Sequence, residues 1–246
     1  MTIPEDRSVF DLIAPKPDSV LRYGDLPDQC IDIYLTEKSN APMIILIHGG
    51  YWRSEYDRIH LRPLATALAS NGWQVALVEY RRIAGDPDAM VSDIKTAIEF
   101  VMASDATRPI ILMGHSAGGH LALWAASVIS KLKSVIALAP IADLATGEKL
   151  NLDSGAIASF LGKSAALRTD LDPILISAQA TPTTLIHGAA DIHVPIELSR
   201  GYVKSKILKG EIVNLIELAG IGHFELIDPR SSVWPVILEE LAKAPN

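Results

Sequence analysis

Pro109-Ile110-Ile111-Leu112-Met113-Gly114-His115-Ser116-Ala117-Gly118-Gly119-His120-Leu121-Ala122-Leu123-Trp124 is the stretch from which the rest of the chain is read. An apolar run of strand length enters Gly114-His115-Ser116-Ala117-Gly118, and a run of small, helix-compatible residues leaves it. In that context a serine sits on a turn tight enough to strain its backbone. The flanking glycines let strand and helix approach closely. The helix N-terminus behind Ser116 puts partial positive charge where an oxyanion would form. The pentapeptide alone does not decide the matter, because Gly-rich strand-to-helix turns also occur in cofactor-binding folds.

Outward from this turn, strands and helices alternate. Residues 42–47 are a continuous apolar run, as expected of a strand buried on both faces. His48-Gly49-Gly50-Tyr51-Trp52 follows it, and Leu61, Leu64, Ala65, Leu68 and Ala69 then recur at helical spacing up to Asn71-Gly72. Residues 73–80 read as a strand, and Asp86-Pro87-Asp88 opens a helix that runs to about Ser104. Residues 134–139, 183–187 and 212–218 read as further strands, and 195–208 and 231–243 as helices. Upstream, 19–23 and 30–35 suit an edge hairpin, and 1–18 an arm or short helical lead-in. Residues 143–180 break the rhythm with short amphipathic pieces at 157–161, 164–167 and 173–178, and read as a small helical lid. The expected fold is α/β, a doubly wound and mostly parallel sheet of about eight strands in one domain over 1–246.

Ligands of such sheets sit beyond the C-terminal ends of the strands. Three reactive residues follow strands directly: Ser116, Asp191 in His187-Gly188-Ala189-Ala190-Asp191, and His223 in Ala219-Gly220-Ile221-Gly222-His223-Phe224. A serine hydroxyl needs a base, an imidazole titrates near neutrality, and a carboxylate can hold its tautomer. The amide of Ala117 and those of Gly49 and Gly50 are the expected oxyanion donors, with Tyr51 as a further one. Tyr51, Trp52 and Phe224 stand near the expected mouth, either lining a substrate pocket or packing loops. Asp143, which also follows a strand, is the rival acid. Asp228 reads as a brace for its loop. Of the other histidines, His48 reads as a brace for the oxyanion loop. His115 and His120 read as structural or pocket-lining, His187 as packed, and His60 and His193 as surface or loop residues.

The composition excludes several classes. The 246 residues are nearly half apolar and about a fifth charged, with a net charge of −7 and no basic face, so nucleic acid is not expected as a partner. Cys30 is the single cysteine, so there is neither an intramolecular disulfide nor a cysteine metal cluster, and a buried apolar role is expected of it. No His-Glu-x-x-His, Walker loop or Gly-x-Gly-x-x-Gly follows the first strands, so no metal or cofactor is expected. The first residues lack an apolar core of signal type and the apolar runs are strand-sized, so a cytoplasmic protein without membrane contact is expected.

Taken together, His48-Gly49-Gly50-Tyr51-Trp52, Gly114 to Leu121, His187 to Pro195 and His223-Phe224 resemble the α/β-hydrolase superfamily. Within it the chain is most similar to the hormone-sensitive-lipase-like esterases and the serine-type kynurenine formamidases (arylformamidases). Residues 22–35 also resemble the segment that precedes the oxyanion loop in those enzymes. The resemblance spans about residues 20–240. It implies Ser116 as nucleophile, Asp191 as acid, His223 as base, and Gly49, Gly50 and Ala117 as oxyanion donors. Tyr51 stands where many lipase-like relatives have a third glycine, which favours the formamidase-like branch. The short arm argues against a large cap and long lipid substrates. The expected activity is hydrolysis of small esters or aryl formamides through an acyl-enzyme, with a small-molecule ester or amide as partner and homodimer formation left open. The competing reading is a non-catalytic binding protein on the same fold.

Overall fold

A computed structural model of the chain describes residues 5–38, 40–177 and 181–243. Eight strands, β1 (Ser19–Arg22), β2 (Cys30–Tyr34), β3 (Met43–Ile47), β4 (Gln74–Val78), β5 (Ile110–His115), β6 (Ser134–Leu138), β7 (Thr183–Gly188) and β8 (Val213–Leu218), form one sheet in the order β1-β2-β4-β3-β5-β6-β7-β8. The β1–β2 and β2–β4 pairs are antiparallel. Every other pair is parallel. Seven α-helices are described: α1 (Arg62–Ser70), α2 (Pro87–Ser104), α3 (Ala117–Val128), α4 (Leu144–Lys149), α5 (Ala156–Leu161), α6 (Glu197–Leu208) and α7 (Trp234–Lys243).

The period of two along each strand sorts the core into two layers. Ile45, Ile47 and Leu112 face a layer that includes Ile94 and Ile98 of α2, Leu121 and Ala125 of α3, and Leu198 and Tyr202 of α6. Ile44, Leu46, Ile111 and Met113 face the other layer, with Leu64 and Leu68 of α1 and Ile237 and Leu241 of α7. All five β3 side chains are therefore buried, as the unbroken apolar run requires. After β3 the chain moves outward to β4, and after β4 it returns to β5 on the other side of β3. Their C-terminal ends flank the crevice where such sheets bind ligands.

The segment between β6 and β7 begins with α4, which is not among the pieces read from the sequence. Asp143 is its N-cap, accepting from the Thr146 N–H at 2.8 Å and the Thr146 hydroxyl at 2.6 Å. Both oxygens of Asp143 are thus engaged by the helix start, whereas the carboxylate in contact with His223 is that of Asp191. The piece read at 157–161 is α5, and the one at 164–167 is a 3-10 turn over Ala165–Leu167. Residues 173–175 form a turn rather than a helix, and Ala178 lies outside the described residues. The N-terminal arm carries a 3-10 turn at Ser8–Asp11. Among the described residues, no helix is long and apolar enough to cross a membrane.

Candidate active site

Ser116 is the N-cap of α3 with φ 57° and ψ −120°, a positive-φ backbone costing about 1–3 kcal/mol for a residue with a side chain. The glycines around it make that turn possible by close approach. A Cβ on Gly114 would lie 2.2 Å from the Gly118 carbonyl oxygen, and one on Gly118 would lie 2.2 Å from that of Ile47. The turn is tied to its neighbours, with Ser116 N–H donating to the Leu138 carbonyl at 2.8 Å and His120 N–H to the Ser116 carbonyl at 3.0 Å.

The loop after β3 lies against this turn. A Cβ on Gly49 would sit 2.7 Å from the His115 carbonyl oxygen and 2.9 Å from Ser116 Cβ. Gly50, Tyr51 and Trp52 have consecutive positive φ values of 109°, 50° and 56°. His48 holds the loop from beneath. Its Nδ1 donates to the Gly49 carbonyl at 2.8 Å, and its Nε2 lies 3.0 Å from Glu79 Oε1. Burial alone would raise the Glu79 carboxyl, but the bond and charge of His48, the Arg82 guanidinium and the Arg58 N–H outweigh it and hold the group well below the usual range. Reading the sequence alone misses Glu79. Its signal is a lone carboxylate directly after the apolar run 75–78.

The loops after β7 and β8 are laced together. Ala189 N–H donates to the Leu218 carbonyl and Ala190 N–H to the Ile221 carbonyl, each at 2.9 Å. Gly188 has no room for a side chain there, since a Cβ would lie 2.2 Å from the Ile221 oxygen. This brings Asp191 Oδ2 to 2.6 Å from His223 Nδ1. Asp191 Oδ1 accepts from the His193 and Val194 amides, both at 2.8 Å. The His187 Nε2–H points chiefly at the Val194 carbonyl at 2.9 Å and more weakly at Asp191 Oδ2 at 3.3 Å, while Ser199 bonds its Nδ1 at 2.7 Å. Burial would raise the Asp191 carboxyl, but its bonds to His187 and His223 and the His223 charge hold it far below the carboxylate range. His115 donates from Nε2 to the His223 carbonyl at 3.1 Å, and burial pushes its imidazole well below its ordinary value.

Ser116 and His223 open into one cavity of about 130 Å³, whose wall also includes Gly50, Tyr51 and Phe224. Asp191 stands behind His223, and Ala117 is fully buried at the first position of α3. Trp52 is not part of this wall. Its indole is 3 % exposed, stacks on Phe160 of α5 with ring centres 4.3 Å apart, and meets His120 edge-on. The wall gains residues not anticipated: Arg7, Phe10, Tyr56, Asp153, Ile227 and two histidines read as surface or loop residues, His60 and His193. His60 is enclosed enough that burial, helped by the neighbouring His48, lowers its imidazole to about 3. Asp228 accepts from the Arg230 N–H and side chain, and so braces its own loop. Cys30 is a buried core residue whose thiol is pushed up by burial. Among the described residues, no group of three or more His, Cys, Asp or Glu side chains is arranged to hold a metal ion.

The sheet order, the strained serine turn after β5 and the paired loops after β7 and β8 define an α/β-hydrolase. Within that class the chain belongs to the BD-FAE family, whose model matches residues 31–205. It is 26 % identical over 239 residues to the esterase LipC of Mycobacterium tuberculosis, covering 84 % of this chain and 59 % of that protein. It is 32 % identical over 133 residues to the kynurenine formamidase of Danio rerio, covering 50 % of this chain and 45 % of that protein. The chain thus spans only about half the length of these relatives. A truncated carbohydrate esterase from gut microbiota superposes with a TM-score of 0.81 at 20 % identity, covering 94 % of this chain and 99 % of that one, a likeness of fold.

Proposed function

We propose that the chain is a serine hydrolase that cleaves small carboxylic esters or aryl formamides through an acyl-enzyme. The observation that carries this reading is the Asp191–His223 contact of 2.6 Å at the edge of a cavity that also holds Ser116 on a strained turn. Asp191 occupies Nδ1 of His223 and leaves Nε2 as the ring nitrogen free to serve the serine. Ser116 Oγ attacks the substrate carbonyl as its proton passes to His223 Nε2. The amides of Ala117, Gly49 and Gly50 stabilise the oxyanion. Collapse of the tetrahedral intermediate breaks the bond to the alcohol or amine, which leaves with the proton from His223. Water then gives a proton to His223 and attacks the acyl carbon, and collapse of the second tetrahedral intermediate breaks the bond to Ser116, whose Oγ takes the proton back from His223 as the acid leaves.

The cavity supports a small substrate. A void of roughly 150 Å³ accepts a benzene ring, so about 130 Å³ suits a short acyl group or a single ring rather than a long lipid chain. Phe10, Tyr51, Tyr56 and Phe224 give that space aromatic walls. The esterase and formamidase among the relatives support the two substrate arms, and Tyr51 in place of a third glycine favours the aryl formamide. Turnover of a short-chain nitrophenyl ester beside an N-formyl aniline, by the native chain and by Ser116→Ala, tests the reading. At least one substrate should turn over and the variant should be inactive on both. Undiminished turnover by Ser116→Ala would refute the assignment of Ser116, and turnover of neither substrate by the native chain would return it to the binding-protein reading.

A further inference from the structure

The loop that carries His223 is held by a residue 218 positions earlier. The side chain of Glu5 reaches in from the N-terminal arm and is 5 % exposed. Its Oε1 accepts from the main-chain N–H of His223 and from that of Phe224, the latter at 3.3 Å. Its Oε2 lies 2.6 Å from His193 Nε2. His223 is the N-cap of the 3-10 turn Phe224–Ile227 and provides no side-chain cap of its own. The amides at the start of that turn need an acceptor, and Glu5 supplies it from outside. Gly222 makes room for this, because a Cβ there would lie 2.9 Å from Glu5 Oε1.

The same carboxylate reaches the other two loops through His193. The His193 amide donates to Asp191 Oδ1 at 2.8 Å, and its carbonyl accepts from the Tyr51 hydroxyl at 2.8 Å. One side chain therefore joins the loops that carry His223, Asp191 and the amides of Gly49 and Gly50. The arm is seated by its own packing. Val9 is buried, Phe10 meets Phe224 edge-on at 4.9 Å, and the Arg7 guanidinium lies 5.0 Å from the Phe224 ring centre. Arg7 and Phe10 also form part of the cavity wall.

We propose that Glu5 is a positioning residue for the hydrolysis described above, setting the placement of His223 relative to Ser116. It rests on that functional reading. Glu5 touches no reacting atom. It acts by holding the main chain of the base, and a displacement of about 1 Å in such a group can cost on the order of 100-fold in rate.

Three full-length variants test this with a short-chain nitrophenyl ester and with hydrogen exchange over residues 221–227. Glu5→Ala removes the acceptor. Glu5→Asp keeps the charge but withdraws it by one methylene. Glu5→Gln keeps an oxygen for the two amides. Glu5→Ala and Glu5→Asp should lower kcat about 10- to 100-fold with KM little changed, and should speed exchange over 221–227. Glu5→Gln should restore most of kcat and the protection. Native kcat in Glu5→Ala or Glu5→Asp would overturn the proposal. So would a loss that Glu5→Gln fails to repair, or faster exchange spread evenly over the chain. If the native chain hydrolyses neither ester nor formamide, the functional reading falls and the catalytic role of Glu5 with it. Should Glu5→Ala fail to fold, Glu5→Asp against Glu5→Gln gives the same comparison.

Discussion

The serine turn and the histidine loop are held in place by different means. The turn at 114–118 is a backbone object. Gly114, Gly118 and the carbonyls of Ile47 and His48 approach so closely that no side chain fits between them, and Ser116 takes up the strain. The histidine loop is laced to the loop after β7 by main-chain bonds too, but His223 itself is then held by side chains drawn from distant parts of the chain: Asp191, the His115 ring and Glu5. A main-chain device tolerates almost no substitution. A side-chain device can be altered one bond at a time, so in this molecule the placement of His223 is open to single substitutions in a way that the placement of Ser116 is not.

The largest expected effect is on the histidine side. Asp191→Asn should leave the fold intact while lowering kcat by about 10⁴-fold, because the amide no longer enforces the tautomer that leaves Nε2 free to accept. Steady-state kinetics alongside thermal melting will show it, and a loss smaller than about tenfold would mean that Asp191 is not the orienting acid. On the serine side, Gly118→Ala drives a Cβ to 2.2 Å from the Ile47 oxygen and should destabilise the fold by about 3 kcal/mol. A Cβ on Gly201 of α6 would meet nothing within 4 Å, and Gly201→Ala should instead stabilise the helix by up to ~1 kcal/mol. Denaturant midpoints of the two variants moving the same way would undo the contrast.

A smaller effect concerns pH. Burial lowers the imidazole of His120 to about 4 and that of His115 well below its ordinary value of 6.5. The unfolded chain therefore takes up protons below pH 6.5 that the folded chain refuses. Stability falls as pH drops from there, by up to ~1.4 kcal/mol per unit for each such group, down to its folded value. The depressed carboxylates Glu79 and Asp191 act in a lower window, losing their contribution only as pH falls through and below about 4.5 and 3.8. His120→Gln should flatten the dependence of the urea midpoint between pH 7 and pH 5. An unchanged slope would show that His120 protonates in the folded state.

What was legible in the sequence divides along the same line. The strand ends, the order Ser116, Asp191, His223 and the glycine loop at 49–50 could be read because local stereochemistry demands particular residues there. The direction of Trp52 could not. Three consecutive positive φ values turn the loop, and the indole goes under α5 instead of into the cavity. Asp143 follows a strand, as Asp191 does, but Leu144-Ala145-Thr146 behind it start a helix that takes its carboxylate as a cap. His60 and His193 read as surface or loop residues, and their place in the cavity wall reflects contacts with Phe10 and Glu5 of the arm, far away in sequence. Glu5 carries no signal, because its meaning arises from a contact with His223 that no short-range pattern contains.

The central claim is that Ser116 is the activated nucleophile of this site. Incubation of the native chain with a short-chain nitrophenyl phosphonate, followed by intact mass measurement and peptide mapping, tests it most directly. One adduct per chain, located on Ser116, slowed in Asp191→Asn and absent in Ser116→Ala, is the predicted result. A folded chain that takes up no label, or that carries it on another residue, would contradict the account.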